Sequence, residues 1–486
     1  MTPEMLIAAT IGTPLAGAAL IAASHRAPNL REAATILTAC VLFVLVLTLL
    51  PVVLGGGRPT LDVLEMMPGL ELRFEVEPLG MIFALVASGL WILNSIYSIG
   101  YMRANNEAKQ TRFYVCFAGA LAAAMGIAFA GNLLTLFVFY EALTLVTYPL
   151  VTHAGTEAAR RAGRVYLGLL LGTSIALFLA AIIWTFHLAG TTDFRGGGIL
   201  PDDLDGTVVA ILLALYAFGI GKAALMPIHR WLPAAMVAPT PVSALLHAVA
   251  VVKAGVFCVV KIMVYVFGVE RLAELGSAAW LPYVACFTIL AASIVALRSD
   301  NLKRRLAYST VSQLSYVVLA VALLAPLSVL GAALHIAAHA VSKITLFFAA
   351  GAIYTAAHKT EVSELAGIGR VMPVTMTAFT IGALSLIGIP PAAGFFSKWF
   401  IVQGAVDAEQ YFALGVIVSS TLLNAAYFLP IVHSAFFRSP ADGSHGASHG
   451  EAPWPMVVAL VVTAALTLGL FLITDVPFRL ARELTG

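Results

Sequence analysis

Residues 214–233 read ALYAFGIGKAALMPIHRWLP and residues 384–402 read LSLIGIPPAAGFFSKWFIV. Each is apolar enough to lie in a bilayer, and each is broken. Gly219 and Gly221 precede Lys222, with Pro227 after it; Gly388, Pro390 and Pro391 precede Lys398. Proline removes a backbone donor and clashes with the preceding turn, so neither stretch is expected to be one continuous helix. Broken backbone at membrane depth is tolerated only where protein or a water-filled cavity satisfies its polar groups. Two interrupted runs at corresponding positions in two halves of a chain mark an inverted-repeat transporter.

The rest of the chain supports that setting. Of 486 residues 60% are hydrophobic and 11% charged, and the mean hydropathy is +0.96. Apolar runs of about 20 residues, the length a spanning helix needs, recur from end to end. They predict an all-α polytopic protein with spans at 4–24, 33–54, 78–101, 113–130, 132–153, 163–190, 207–229, 240–269, 280–298, 306–325, 327–357, 374–403, 411–437 and 454–474, fourteen in all. The first run follows Glu4 and no basic residue, so it reads as a span and not as a signal peptide. No connecting segment is long enough for a separate core, so residues 1–486 form a single membrane domain. Within it, 1–104 holds three spans, 113–269 and 280–437 are two five-span repeats, and 454–486 is a final span and tail. Five is odd, so the second repeat is inverted, and the broken spans are each fourth in their unit.

The loops on one side carry sixteen Lys and Arg against six on the other. The positive-inside rule makes the basic side cytoplasmic and both termini outward in a cell (inner) membrane, with acidic loops around Glu65 to Glu77 and Asp202 to Asp205 also outward. A net charge of +2 gives no reason to expect nucleic acid. Cys40, Cys116, Cys258 and Cys286 lack paired spacing and read as small hydrophobes.

Five basic residues fall inside the spans: Lys222, Lys253, Lys261, Lys343 and Lys398. The chain has only eight lysines, yet none of its 19 arginines lies deeper than the terminal turn of a span. A buried lysine can gain and lose a proton, whereas an arginine stays charged. Away from the span ends a single acid, Glu141, lies within the spans. Ionisable groups at that depth are costly and mark ion or proton paths. His335, His339 and Lys343 follow at i, i+4 and i+8 on one helical face, as a proton relay would. Each residue also has a plainer reading: Lys261 snorkels to the interface, His247 is a hydrogen-bonded packing residue, and Glu141 with Lys222 is a static ion pair. A static pair leaves four further lysines unexplained.

FVFYEALTLVTYPLV (137–151), GKAALMPIHRWLPAAMVAPTPVSALLHAVAVVKAG (221–255), NLKRRLAYSTVSQLSY (301–316), HIAAHAVSKITLFFAAG (335–351) and GIPPAAGFFSKWFIV (388–402) together resemble the antiporter-like subunits shared by respiratory complex I and Mrp-type multisubunit cation/proton antiporters. The resemblance spans about residues 111–430. It implies a fourteen-helix, proton-translocating subunit that works beside other membrane subunits. It also implies that Glu141 and Lys222 are a coupled pair, that Lys253, His335, His339 and Lys343 are the central relay, that Lys303 lies at the join, and that Lys398 is the terminal lysine. M-type subunits carry glutamate where Lys398 stands, and the L-type and Mrp A-type subunits continue beyond the last span. The order of resemblance is therefore an Mrp D-type subunit, exchanging a monovalent cation such as Na+ for protons, then an N-type subunit of a complex I-like or hydrogenase-linked electron-transfer complex. A structural scaffold that has inherited the fold is a third class, against which the intact lysine series argues. No GxGxxG after a strand and no CxxC occurs, so no cofactor and no catalytic site of its own is expected. No metal site is expected either, and His445 and His449 read as part of a Gly/Ser-rich linker.

Overall fold

The computed structural model describes residues 2–67, 70–439 and 450–484; His445 and His449 lie outside the described residues. The chain opens with α1 (Pro3–Ala23) and α2 (Pro28–Leu54), whose exposed Leu15, Leu20, Leu37 and Val44 suit a lipid-facing surface. The acidic connection around Glu65 to Glu77, which follows α2, carries regular structure. β1 (Thr60–Met67) and β2 (Leu70–Glu75) pair antiparallel there, the two strands among otherwise helical elements of the described residues.

α3 (Pro78–Ala104), α4 (Gln110–Ala128) and α5 (Leu133–Val151) follow. Glu77 caps α3 by accepting the amides of Leu79 and Gly80, and Asn132 caps α5 through the Thr135 amide. α6 (Glu157–Thr173) runs through a π-helical turn, Ser174–Phe178, into α7 (Leu179–Ala189). α8 (Gly206–Gly219) stops at the first break, beyond which lie short 3₁₀ turns and α9 (Trp231–Ala234). Then α10 (Thr240–Ala244), a π-helical turn at Leu245–Val249 and α11 (Val251–Ile262) make one run, ending in a second π-helical turn, Met263–Phe267, before the short α12 (Val269–Leu275).

α13 (Leu281–Arg298), α14 (Leu302–Ala322) and α15 (Pro326–Ala357) lead through α16 (Ile368–Val371) to α17 (Pro373–Ile387). The second break separates α17 from α18 (Ala393–Asp407); α19 (Tyr411–Phe437), α20 (Trp454–Leu472) and the amphipathic α21 (Asp475–Arg482) complete the chain.

Among the described residues eleven helices are long and apolar enough to cross a membrane, against fourteen spans expected. The difference lies at three places. The breaks shorten the apolar helices to Gly206–Gly219 and Pro373–Ile387. α14 is long but polar, because Ser309, Thr310, Ser312, Gln313 and Ser315 are all buried along it. It faces protein, not lipid. The run Thr240–Phe267 and α15 are likewise buried along their length and form the centre, with α15 packed on α3, α14, α17, α18 and α20.

α11 rests directly on the first break. A Cβ on Gly255 would lie 2.3 Å from the Lys222 carbonyl carbon and 2.3 Å from the Ala223 amide nitrogen, both rigid backbone. Gly255→Ala is therefore expected to destabilise the protein by about 1–3 kcal/mol through overpacking. Gly415→Ala, where a Cβ meets nothing within 4 Å, should be neutral. Thermal midpoints of the two purified variants check this, and equal midpoints would contradict it.

Candidate proton path

The unwound backbone at the first break is satisfied by protein. Trp231 Nε1 donates to Gly221 O at 2.9 Å, the Lys222 amide donates to Tyr140 Oη at 3.1 Å, and the Met226 amide donates to Thr288 Oγ1 at 3.3 Å. Lys222 is fully buried. Its Nζ donates to Tyr140 O at 2.8 Å and Thr144 Oγ1 at 2.6 Å, and lies 3.1 Å from the centroid of the Tyr140 ring. These are dipoles on α5, not a counter-charge. Glu141 is the next residue along α5, yet both its carboxylate oxygens are buried without a hydrogen-bond partner among the described residues. Lys222 and Glu141 thus stand as open neighbours, not as a closed ion pair.

Lys261 forms the ion pair instead. Its Nζ lies 3.1 Å from Glu77 Oε1, Tyr265 donates to Glu77 Oε2 at 3.0 Å, and both charged side chains are buried. The snorkelling reading of Lys261 is therefore set aside: the amine finds a carboxylate at the start of α3 and stays inside. Sequence reasoning missed Glu77 because it sits one residue before an apolar run. Glu75, beside it on β2, is raised above its ordinary carboxyl value by burial, with Lys261 opposing.

At the centre, Lys253 Nζ and His339 Nδ1 are hydrogen-bonded across α11 and α15. The His335 and His339 rings stack 6.0 Å apart, as one-turn spacing requires. His335 Nε2 meets Gln313 Oε1 at 3.1 Å, and its Nδ1 meets Ser397 Oγ at 2.9 Å, one residue before Lys398. His247 sits in the Leu245–Val249 π-helical turn, with Nδ1 3.0 Å from Thr310 Oγ1. Lys303 donates to Ala238 O at 2.6 Å near the loops.

A second line of contacts joins Lys343 to Lys398. Lys343 Nζ donates to Ser309 Oγ at 3.0 Å, and Tyr427 Oη lies 3.0 Å from that same oxygen. Tyr427 also contacts Asn424 Oδ1, and Asn424 Nδ2 donates to Leu386 O at 3.4 Å. Lys398 Nζ donates to the same carbonyl at 2.6 Å and to Ile387 O at 3.2 Å, with the Tyr316 ring 4.8 Å away. Those carbonyls end α17, where Gly388 turns the chain at φ +95° and Pro390 and Pro391 prevent the helix from continuing. Lys398 thus lies in α18 and reaches back to the break, whereas Lys222 lies inside its own break.

Tyr427→Phe removes the hydroxyl that bridges Ser309 and Asn424. Both contacts are lost and the line is cut between Ser309 and Asn424, so proton flux should fall by about tenfold or more with assembly unchanged. A pH-sensitive dye in sealed vesicles reads the flux; wild-type flux would exclude this link from the path.

None of Lys222, Lys253, Lys343 and Lys398 has a carboxylate within ion-pair distance among the described residues. Four buried amines, two stacked histidines and neutral oxygen acceptors form a set that can pass a proton. It offers no cluster of three His, Cys, Asp or Glu for a metal among the described residues.

The family described as NADH:quinone oxidoreductase/Mrp antiporter, TM matches residues 130–424. Over 420 residues the chain is 34% identical to NADH-quinone oxidoreductase subunit N of Desulforudis audaxviator (strain MP104C), covering 83% of this chain and 82% of that one. It is 30% identical to a component of a probable K(+)/H(+) antiporter of Rhizobium meliloti (strain 1021), covering 90% of this chain but 45% of that longer protein. In fold it is similar to a chain of the Mrp complex from Dietzia sp. DQ12-45-1b, with a TM-score of 0.88 over 100% of this chain and 97% of that one at 22% identity.

Proposed function

The chain belongs to the NADH:quinone oxidoreductase/Mrp antiporter transmembrane family, and we propose on that premise that it is the proton-translocating subunit of a multisubunit monovalent-cation/proton antiporter, with Na+ the exchanged cation. The observation that carries the reading is the series of buried amines and imidazoles from Lys222 through Lys253, His339, His335 and Lys343 to Lys398. Such groups cost stability at membrane depth and are retained for ion or proton movement.

The mechanism is electrostatic. With the Glu141 carboxylate beside it, the Lys222 ammonium is stabilised; when the two separate, only dipoles hold it and its proton is released toward Lys253 and the histidines. Their separation here supports a pair that opens and closes. Lys398 repeats the step at the other break. The two five-span units, 113–269 and 280–437, supply one break each in opposite orientations, flanked by 1–104 and 454–486. The basic loops face the cytoplasm, and both termini face outward from the cell (inner) membrane. Other membrane subunits complete the complex, as in the relatives.

The similarity to a subunit N over most of that protein's length favours a second reading, a proton-pumping subunit of an electron-transfer complex. Mass spectrometry of the gently purified complex separates the two. Small membrane subunits, together with collapse of a vesicle pH gradient on adding Na+, are expected; co-purifying iron–sulfur or flavin subunits would replace the first reading with the second.

A further inference from the structure

The helices packed around α3 leave one side of it unfilled. α2 and α20 flank it, α15 lies behind it, and between them runs a groove of about 430 Å³. Its walls follow α3 from Ile82 to Leu93 and α20 from Val462 to Leu470. Ala337 and Val341 of α15 form the floor, and Phe43 of α2 closes one edge. Gly89 keeps that edge open: a Cβ there would lie 3.3 Å from Phe43 Cε2, tighter than ordinary packing. No lining residue carries a polar side chain. Apolar cavities exclude water, and an empty one forfeits the contacts of its walls, so hydrocarbon is the filling that suits it.

The dimensions decide between kinds of occupant. From Ile82 to Leu93 the helix rises about 16 Å at about 1.5 Å per residue, close to half of a hydrocarbon core about 30 Å thick. The groove therefore covers one leaflet. Its volume over that length corresponds to a cross-section of about 27 Å², against about 80 Å² for a helix about 10 Å across. A transmembrane helix does not fit, whereas an extended acyl chain does. With a methylene near a water in size, at about 30 Å³ each, the groove takes roughly fourteen carbons.

One end of the groove reaches the membrane boundary. α3 begins at Pro78, about one turn before Ile82, and α2 ends at Leu54 on the same side. Arg479 Nη2 on α21 donates to Leu54 O at 3.4 Å, which sets α21 at that level. Pro477 and Leu480 of this amphipathic helix roof the groove, whereas Arg479, between them in sequence, is exposed. An exposed guanidinium at the mouth of an apolar groove complements a phosphate, which it can meet with two parallel N–H donors. We propose that this groove binds one phospholipid, with an acyl chain lying between α3 and α20 and the phosphate on Arg479. The site lies apart from the proton path and does not depend on that reading.

The test uses the assembled complex in phosphatidylcholine nanodiscs doped with a phosphatidylglycerol that carries a diazirine midway along one chain. After illumination and digestion, adducts are expected on buried groove residues such as Leu90 and Val341, which bulk lipid does not reach. Leu466→Trp fills the groove from its exposed rim and should abolish those adducts, while Val461→Trp, exposed on α20 outside the groove, should leave them at wild-type yield. Arg479→Gln should lower the yield at limiting probe about fivefold, the worth of one arginine at a headgroup layer. Equal yields in wild type and Leu466→Trp, or adducts confined to exposed residues, would overturn the proposal. Wild-type yield in Arg479→Gln would overturn the assignment of the phosphate to that residue. A photoreactive amino acid in place of Val86, in the otherwise wild-type complex, gives an answer even if the Trp variant fails to fold. It is expected to capture a lipid, and capture of a neighbouring subunit would place protein in the groove and overturn the proposal.

Discussion

Lys222→Ala is expected to lower proton-coupled cation transport by about 100-fold or more while the complex still assembles. A positioned proton carrier typically contributes about 10²–10⁴-fold to a proton-transfer step, which sets the scale. The amine is fully buried, held by Tyr140 O, Thr144 Oγ1 and the Tyr140 ring, and forms no ion pair among the described residues. Truncation therefore leaves no carboxylate stripped of a contact partner, and the stability cost is about 1–3 kcal/mol for the lost hydrogen bonds. Glu141→Ala should have a similar effect on transport for the converse reason. Its oxygens make no hydrogen bond among the described residues, so a purely structural role has no contact to lose. Sodium-driven dye recovery in everted vesicles reads transport, and blue-native electrophoresis reads assembly. Wild-type antiport in either variant would sink the paired mechanism.

The features that were legible in the sequence are the ones that are expensive. A charge inside an apolar run, or a proline inside a span, has no cheap explanation, so Lys222, Lys253, Lys343, Lys398, Glu141 and the two breaks stand out before any coordinates. What links them does not. Ser309, Thr310, Gln313, Asn424 and Tyr427 are neutral, and serine or threonine in a helix can satisfy itself on the carbonyl four residues back, as Thr310 does on Leu306. The one available signal was density: YSTVSQLSY at 308–316 is too polar for a helix that faces lipid. The π-helical turn around His247 contains neither glycine nor proline and left no mark on the periodicity. The hairpin was legible in principle, since LELRFE at 70–75 alternates apolar and charged residues with the period of a strand. Strands of 8 and 6 residues are too short to register among apolar runs of spanning length.

Lys398→Arg is expected to be as inactive as Lys398→Ala, about 100-fold below wild type or lower, although it is the milder change structurally. The Lys398 amine rests on Leu386 O and Ile387 O, the last carbonyls of α17. The C-terminal end of a helix carries about half a negative charge, so it welcomes any cation. A guanidinium has five donors to offer the same carbonyls and can face the Tyr316 ring as the ammonium does. Arginine should therefore keep the break intact, and its thermal midpoint should lie nearer to wild type than that of alanine. Alanine leaves Ile387 O without the lysine and Leu386 O with only the 3.4 Å bond from Asn424. The decisive difference is that a guanidinium does not release its proton in a protein, whereas a lysine ammonium held by dipoles alone does so when the neighbouring charge changes. Flux measured in both variants separates the two roles of the side chain. If arginine transports at the wild-type rate, the positive charge at the α17 terminus is what matters, and the proton must cross this break by another group, with His335 and Ser397, 2.9 Å apart beside it, the first to test.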